Sequence, residues 1–545
     1  MDDHKYIIHG RPIDRLLDIS LGELLLMILK VYEDNVILVD ALTNEEVTGK
    51  MLLARGICLA KWLKSQNINL GDSVSIISEN RIEFAVVPIA AFLLGVTVAP
   101  LNPDYTIVEL KHVLSLSKPK VVFCSEKTIE KMTSVCADNL FIRNLILFGD
   151  KNYSHEKIIY FNDIIKDVTE IDEQFKAVPI DTKNTVATIL CSSGTTGLPK
   201  GVMCTHDNMT TYVDISRMIM THIVENDDPS DAIIGLTPFF HSFGFMLMFL
   251  NIIRGKKMVV IGRFKLNVFL DTIVKYKIRR LIVPPPVLLI MLKNPLTNQY
   301  DLSCIKEIRC GAAALGKEME KELKDRFKVE NVSQAYGMTE TTLGVLTTEA
   351  KNKAKIGSVG TLVPGMMVKV VDEEGEPLGP YKEGELCFKG PLIMKGYIDN
   401  PKATAETIDK YGWLHTGDIA YYDKEENFFI VDRIKELIKY KAFQVAPAEL
   451  EALLMTHPSI KDCAVVGLPD DEAGELPLAF VVTKPGRTLT EQEVKKYVAD
   501  ALSHQKHLRG GVIFTDEILR NPTGKILRRI LKQKAIRLVK LKSKL

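Results

Sequence analysis

The chain has 545 residues, too many for one compact core of ordinary size, so two or more domains are expected. Its 70 lysines and arginines against 69 aspartates and glutamates leave a formal charge of +1, which provides no global electrostatic footprint for nucleic acid or an anionic membrane. Nine scattered cysteines, with no C-x-x-C pair and no histidine-rich spacing, argue against a zinc site and fit a reducing intracellular compartment.

The amino terminus, MDDHKYIIHG, opens with acids and lacks the basic segment and apolar run of a signal peptide, so secretion is not expected. From Ser73 the sequence alternates as a doubly wound fold would. SVSIIS reads as a strand, IEFAVVPIAAFLL as a helix, VTVAPL as a strand, TIVELKHVLSLS as a helix and KVVFCS as a strand. Within it, FAVVPIAAFLLGVTVAPLNP is free of charge and nearly long enough to cross a bilayer, but Pro88, Gly95 and Pro100 interrupt it. It reads as a buried helix followed by a buried strand, not as a membrane span.

The apolar stretch TVATIL leads directly into CSSGTTGLPKGVMCT at 191–205. Gly194 and Gly197 let the backbone turn tightly and approach a ligand, while Ser192, Ser193, Thr195, Thr196 and Lys200 add donors suited to anionic oxygens. The P-loop pattern is absent, because Pro199 precedes Lys200 and Gly201 follows it where Ser or Thr should stand. Taken alone, the segment is either another kind of phosphate loop or a linker.

Further on, KMVVIG, FLDTIVKYK, RRLIVPP and VLLIMLK repeat the strand and helix alternation, which carries the parallel-sheet architecture past residue 330. From Gly357 the strands shorten and are separated by Gly and Pro turns, as in VKVVDEEGEPLGP and GELCFKG, a pattern that predicts a β-rich subdomain. After Asp432 the segment RIKELIKYKAFQV gathers four cations, and beyond it the strands DCAVVGL and LAFVVT alternate with the helical EQEVKKYVADAL. The expected architecture is therefore α/β: a large N-terminal domain of doubly wound sheets over 1–432, a hinge at 433–436, and a small α+β domain over 437–545. The chain closes with Ser543-Lys544-Leu545, a peroxisomal address read by an import receptor, so a peroxisomal location is expected.

Four other stretches carry potential chemistry: FFHSFGF, QAYGMTETT, GWLHTGDIAYYD and NPTGK. Singly, each is weak. Thr339 and Glu340 fit a phosphate contact and a magnesium ligand, or equally a helix cap. Asp418 fits a ribose acceptor or an ordinary Gly-Asp turn. His241, among Phe239, Phe240 and Phe243, fits a pocket wall. No G-x-S-x-G or H-E-x-x-H motif supports a serine hydrolase or a metalloprotease.

In order, SSGTTGLPKG, HSFG, YGMTE, GWLHTGD, DRIKELIKYK and PTGK resemble the motifs of the adenylate-forming ligases, the family of acyl-CoA synthetases, 4-coumarate-CoA ligases and beetle luciferases. The chain is especially similar to insect luciferase-like acyl-CoA synthetases. The resemblance implies that ATP, magnesium and coenzyme A act on a small-molecule carboxylic acid, giving an acyl-adenylate and then a thioester. The attacking carboxylate and the α-phosphate repel by about 1 kcal/mol per charge pair at roughly 4 Å in water, and more in a drier site, so cations must stand between them.

By the same resemblance, Ser192 to Gly197 and Lys200 would grip the β- and γ-phosphates, and Lys525 would bridge the carboxylate and the α-phosphate. Thr339 would bond the α-phosphate, and Glu340 would hold magnesium. Asp418 would take the ribose hydroxyls with Arg433 assisting, while Gly311 and Tyr336 would flank the adenine. His241 and Phe243 would border the acyl pocket. A swing of the small domain would then exchange Lys525 for the segment around Lys439, Lys441, Ala442 and Gln444 and open a channel for coenzyme A.

Within this resemblance the chain departs from its relatives at four positions. Tyr212 stands where beetle luciferases typically carry an arginine, and Leu343 where they usually carry a serine, which makes the acid pocket more apolar and better suited to a fatty acid. Ala335 replaces the usual glycine before Tyr336 and narrows the pocket against aromatic acids. Ala442 replaces a glycine beside the coenzyme A channel; were that position at positive φ, alanine would cost about 1 kcal/mol.

Overall fold

The computed structural model describes residues 6–542 apart from 17, 150–152, 154–157, 166–167, 169, 193–198, 225–230, 314, 350–351, 442, 471 and 523. The expected strand and helix alternation is present where the apolar periodicity predicts it. Ser73–Ile77, Thr97–Leu101 and Val121–Ser125 are strands buried at every position, and they pair in parallel with Ser73–Ile77 in the middle. Parallel strands covered on both faces read as continuous apolar runs, which is how VTVAPL and KVVFCS read in the sequence.

These strands belong to an eight-stranded sheet that continues to Asn144–Phe148 and Ile158–Tyr160 on one side. On the other side Val186–Ser192 and Lys200–Thr205 form an antiparallel hairpin, with Ser192 facing Lys200 in register. A second, five-stranded sheet runs parallel through Arg280–Ile282, Glu307–Cys310 and Asn331–Gly337, then turns antiparallel through Gly344–Thr347 and Thr361–Leu362.

The charge-free run from Phe84 folds as the helix Val86–Leu93 and the strand Thr97–Leu101, both buried throughout. The helix packs against Leu21–Val31 and Gly49–Ser65. Burying a Leu, Ile or Phe side chain is worth about 1.5–3 kcal/mol, so this run supplies core and not a membrane anchor. Among the described residues no helix is long and apolar enough to cross a membrane. Ser20 fixes the start of Leu21–Val31 through a capping box: its hydroxyl accepts from Glu23 N–H, and the Glu23 carboxylate accepts from Ser20 N–H at 2.8 Å.

The β-rich subdomain is an antiparallel five-stranded sheet whose order is Ile8–His9, Met367–Val371, Gly384–Lys389, Leu414–Tyr422 and Phe428–Arg433. Its first strand comes from the amino terminus. Beyond Asp432 the chain builds a further five-stranded sheet with its own core around Leu450, Val465, Val481 and Val494. The two parts meet at Gly524, where φ is +86° and a Cβ would stand 2.6 Å from Pro286 Cγ on the helix Pro285–Lys293. Lys293 Nζ also donates to the Lys461 carbonyl across this seam at 3.1 Å.

Candidate active site

A cavity of about 590 Å³ opens where four of these elements converge. Ser192 and Lys200, the facing ends of the hairpin, line one side. Residues 193–198, which carry Ser193, Gly194, Thr195, Thr196 and Gly197, close that hairpin and lie outside the described residues. Gly311 lies just past the strand Glu307–Cys310, while Tyr336 and Gly337 end the neighbouring strand Asn331–Gly337 and Met338 to Glu340 follow it; both groups line the cavity. Branching from the carboxyl ends of parallel strands is where open α/β sheets place ligands.

The 3₁₀ turn Thr339–Thr341 sets the first pair of polar groups. Thr339 Oγ1 stands 3.4 Å from Ser242 Oγ, and Glu340 Oε1 accepts a hydrogen bond from Tyr397 Oη at 2.8 Å. Lys200 Nζ sits 4.6 Å from the centroid of the same Tyr397 ring. Burial and the Glu340 carboxylate raise the Tyr397 phenol, so it keeps its proton and donates at neutral pH. This carboxylate fits a hard divalent cation, which would neutralise polyphosphate charge when bound.

Across the cavity, Asp418 is gripped from two sides. Tyr336 Oη donates to Oδ2 at 2.5 Å, and Arg433 Nε lies 3.1 Å from Oδ1. Asp418 and Arg433 are register partners on adjacent strands, so the pairing follows from the sheet itself. The Tyr336 ring stacks on Phe388 at 6.1 Å, and burial with the Asp418 charge raises its phenol well above the usual value. Ahead of Asp418, Gly417 adopts φ +71° and gives its N–H to Glu385 Oε1 at 3.0 Å. Glu385 Oε2 lies 2.8 Å from His415 Nδ1, so one carboxylate holds both the turn and the imidazole.

Lys525 reaches the cavity from the small domain, together with Asn521 and Pro522. The PTGK turn is closed by Asn521, whose Oδ1 accepts from Lys525 N–H at 2.9 Å. Burial and the charge of Arg433 lower the Lys525 pKa, while Asp418 and Glu340 act the other way. A cation so placed, among hydroxyls and two further cations in Lys200 and Arg433, suits the phosphates of a nucleotide. His241 caps the helix Ser242–Ile253, its Nδ1 accepting from Phe243 N–H at 3.3 Å. Burial, then Lys525, pushes His241 down to about 3, so it is a neutral imidazole throughout the physiological range.

A largely apolar part of the cavity is lined by two helices and the second sheet. Tyr212 and Met220 come from His206–Val224, Phe243, Leu247 and Leu250 from Ser242–Ile253, and Ala335 and Leu343 from the sheet side. Tyr212, Ala335, Leu343, His241 and Phe243 thus share one lining. Lys439 and Lys441 are not: both are exposed on the hairpin Ile438–Tyr440 and Phe443–Val445, away from the lining of this cavity. Ala442 and the side chain of Gln444 lie outside the described residues, and the positive φ seen in that turn, +53°, belongs to Lys441.

Several lining residues carry no clear local signal in the sequence. Tyr397 is an aromatic in a loop-like stretch, and Glu385 is one acid in an alternating strand. Arg309 was detectable: in EIRC the charged Glu307 and Arg309 alternate with the core residues Ile308 and Cys310, which puts the cation on the face opposite the core.

The AMP-binding enzyme family matches residues 29–398, and the AMP-binding enzyme C-terminal domain matches residues 449–525. The luciferin 4-monooxygenase of Nipponoluciola cruciata is 42% identical over 503 residues, 91% of each chain. A probable 4-coumarate–CoA ligase 3 of Dictyostelium discoideum is 38% identical over 526 residues, 93% of this chain and 94% of its own length. Among solved structures, ATP-bound MatB from Rhodopseudomonas palustris superposes with a TM-score of 0.85 at 25% identity, covering 95% of this chain and all of its own. With Ser192 and Lys200 of the hairpin, the Thr339–Glu340 turn, the Asp418 grip and Lys525 converging on one cavity, the chain belongs to the AMP-binding enzyme family of ATP-dependent, adenylate-forming ligases.

Proposed function

We propose that this enzyme activates a medium- to long-chain fatty acid to its acyl-adenylate and passes the acyl group to coenzyme A, releasing pyrophosphate and then AMP. The observation that carries the choice of acid is the lining of the acid end: Met220, Leu247, Leu250 and Leu343 present aliphatic surface, and Tyr212 adds a phenol in place of a cation. Burial drives the Tyr212 phenol up to about 12, so it stays neutral beside an acyl chain. Ala335 fills space on the same wall and disfavours a broad aromatic acid.

In this reading Lys525 neutralises charge as the carboxylate oxygen attacks the α-phosphorus and pyrophosphate departs, with Thr339 donating to the phosphate. Glu340 would hold magnesium, which would supply charge neutralisation on the phosphates when bound. Asp418 exchanges the Tyr336 and Arg433 contacts for ribose hydroxyls. Neutral His241 orients the acyl carbonyl. The docked small domain keeps water from the mixed anhydride, and its later rotation brings Lys439 and Lys441 to a coenzyme A channel. The terminal Ser543-Lys544-Leu545, outside the described residues, supports a peroxisomal location through the import receptor.

The second reading is light emission from luciferyl-adenylate, favoured by the identity to luciferin 4-monooxygenases. The two separate in one assay: pyrophosphate release with MgATP and hexanoate, palmitate, 4-coumarate or luciferin, with and without coenzyme A, under a photon counter. Fatty-acid-dependent release with thioester accumulation and no light supports the synthetase. Light with luciferin and little thioester replaces it by the luciferase, and preference for 4-coumarate replaces it by an aromatic acid ligase.

A further inference from the structure

The aliphatic end of the acid cavity contains a cation that the reaction does not use. Arg309 lies on Glu307–Cys310, whose Ile308 and Cys310 face the core behind the sheet, so Glu307 and Arg309 share the opposite face with Ile282 and Ser333, the register partners of Arg309. There Arg309 joins Tyr212 and Ala335 in the lining, close enough for its charge to act on the Tyr212 phenol.

Its guanidinium is only partly neutralised. Nε donates to Glu307 Oε1 at 3.2 Å, and Nη2 stands 3.1 Å from the same oxygen without the alignment of a hydrogen bond. Glu307 also serves Arg280, whose Nε lies 3.5 Å from Oε2, so two cations share one carboxylate. The Arg309 side chain is 16% exposed. Beside it, the Ser333 hydroxyl is buried with no hydrogen-bond partner among the described residues. Ser333 is not part of the lining, so of the two Arg309 alone faces the cavity, and a plain aliphatic tail would leave its Nη2 dry and unsatisfied, at a cost that a mere pocket wall has no reason to carry. A carboxylate brought to this wall, beside Tyr212, would meet a planar donor fork suited to it.

We propose that the preferred acid carries a second anionic group at its distal end, an α,ω-dicarboxylic acid, and that Arg309 selects it. The inference rests on the reading of this cavity as the pocket of an aliphatic acid and narrows it to one class. Arg309 acts on the tail and takes no part in the transfer to the α-phosphate, so it governs which acid is bound and not the chemical step.

The test is acid-dependent pyrophosphate exchange with matched pairs, octanoate against octanedioate and dodecanoate against dodecanedioate. Wild type is expected to favour the diacid by at least about tenfold in kcat/KM, a factor of ten being about 1.4 kcal/mol. Arg309→Met, and Arg309→Met with Glu307→Gln to avoid stranding the acid, should reverse the order through KM for the diacid. Preference of wild type for the monoacid overturns the inference and leaves the fatty-acid reading standing, as does an unchanged preference in the variants. Exchange with neither class overturns the fatty-acid reading itself, and this inference with it. Should the variants fail to fold, the wild-type ratio alone decides.

Discussion

Asp418 and Arg433 face each other across adjacent strands, Oδ1 3.1 Å from Nε, while Tyr336 Oη occupies the other oxygen at 2.5 Å. Both carboxylate oxygens are thus oriented before any nucleotide arrives. A hydrogen bond to a charged group is worth about 1.5–3 kcal/mol, so Asp418→Asn should raise KM for ATP roughly 10- to 100-fold in pyrophosphate exchange. KM for the acid should change little. A variant whose acid KM rises while its ATP KM is unchanged would remove Asp418 from the nucleotide end.

What the sequence made legible was local. Buried parallel strands such as VTVAPL and KVVFCS announce themselves as apolar runs between turn residues, and the motif segments carry their polar groups within a few positions of one another. Long-range pairing was not legible. Nothing near Ile8–His9 marks it as the edge partner of Met367–Val371, and nothing near Tyr397 marks its bond to Glu340, 57 residues away. Such partners are chosen by the register of strands distant in the chain, which short-range periodicity does not encode. Arg309 is the intermediate case: its alternation with Ile308 and Cys310 was visible in EIRC, but the cavity that it faces is made by segments distant in the chain.

Lys525 enters the cavity only because the small domain docks with Gly524 against Pro286. Lys525→Ala should lower acyl-adenylate formation by roughly 10²–10³, the usual cost of removing one preorganised charge donor. Thermal stability should not fall, since the change removes a cation that burial and Arg433 already disfavour. Thioester formation from synthetic acyl-AMP should stay near wild type; equal loss of both half-reactions would sink the assignment of Lys525 to the first alone.

His415 sets an alkaline limit on the turn that presents Asp418. The Cys387 thiol at 3.5 Å and Glu385 at 2.8 Å hold its imidazole up at about 10, against an ordinary value of 6.5. A raised folded pKa means that the stabilisation is complete below about 6.5 and is lost as pH rises through about 10. Because Glu385 also holds Gly417 N–H, deprotonation loosens the turn that presents Asp418. KM for ATP should therefore climb between neutral pH and pH 10 in wild type. In His415→Gln the climb should flatten, with KM already elevated at neutral pH; an unchanged profile would detach His415 from the turn.

The seam between the domains carries a second titration. Arg528 bridges Glu451 at 2.7 Å and Glu436 at 3.1 Å, and Asp432 lies close by with Oδ2 accepting from Ala448 N–H at 3.0 Å. Burial lifts Glu451 up to about 7 from 4.5, with Asp432 and Glu436 adding to the shift against the pull of Arg528. The folded state then holds a proton that the unfolded chain releases, so this group stabilises fully below about 4.5 and its contribution is lost as pH rises through about 7. Glu451→Gln keeps an oxygen for Val465 N–H, now 2.8 Å from Oε1, and has no proton to lose. Urea unfolding across pH 4.5 to 8 should show wild type losing stability over this window relative to the variant. Above pH 7 the comparison also registers the lost pairing with Arg528, so the slope between about 4.5 and 7, and not the absolute stability, is the measure. A wild-type curve rising against the variant there would mean that Glu451 folds as a carboxylate, held down by Arg528 and not lifted by burial.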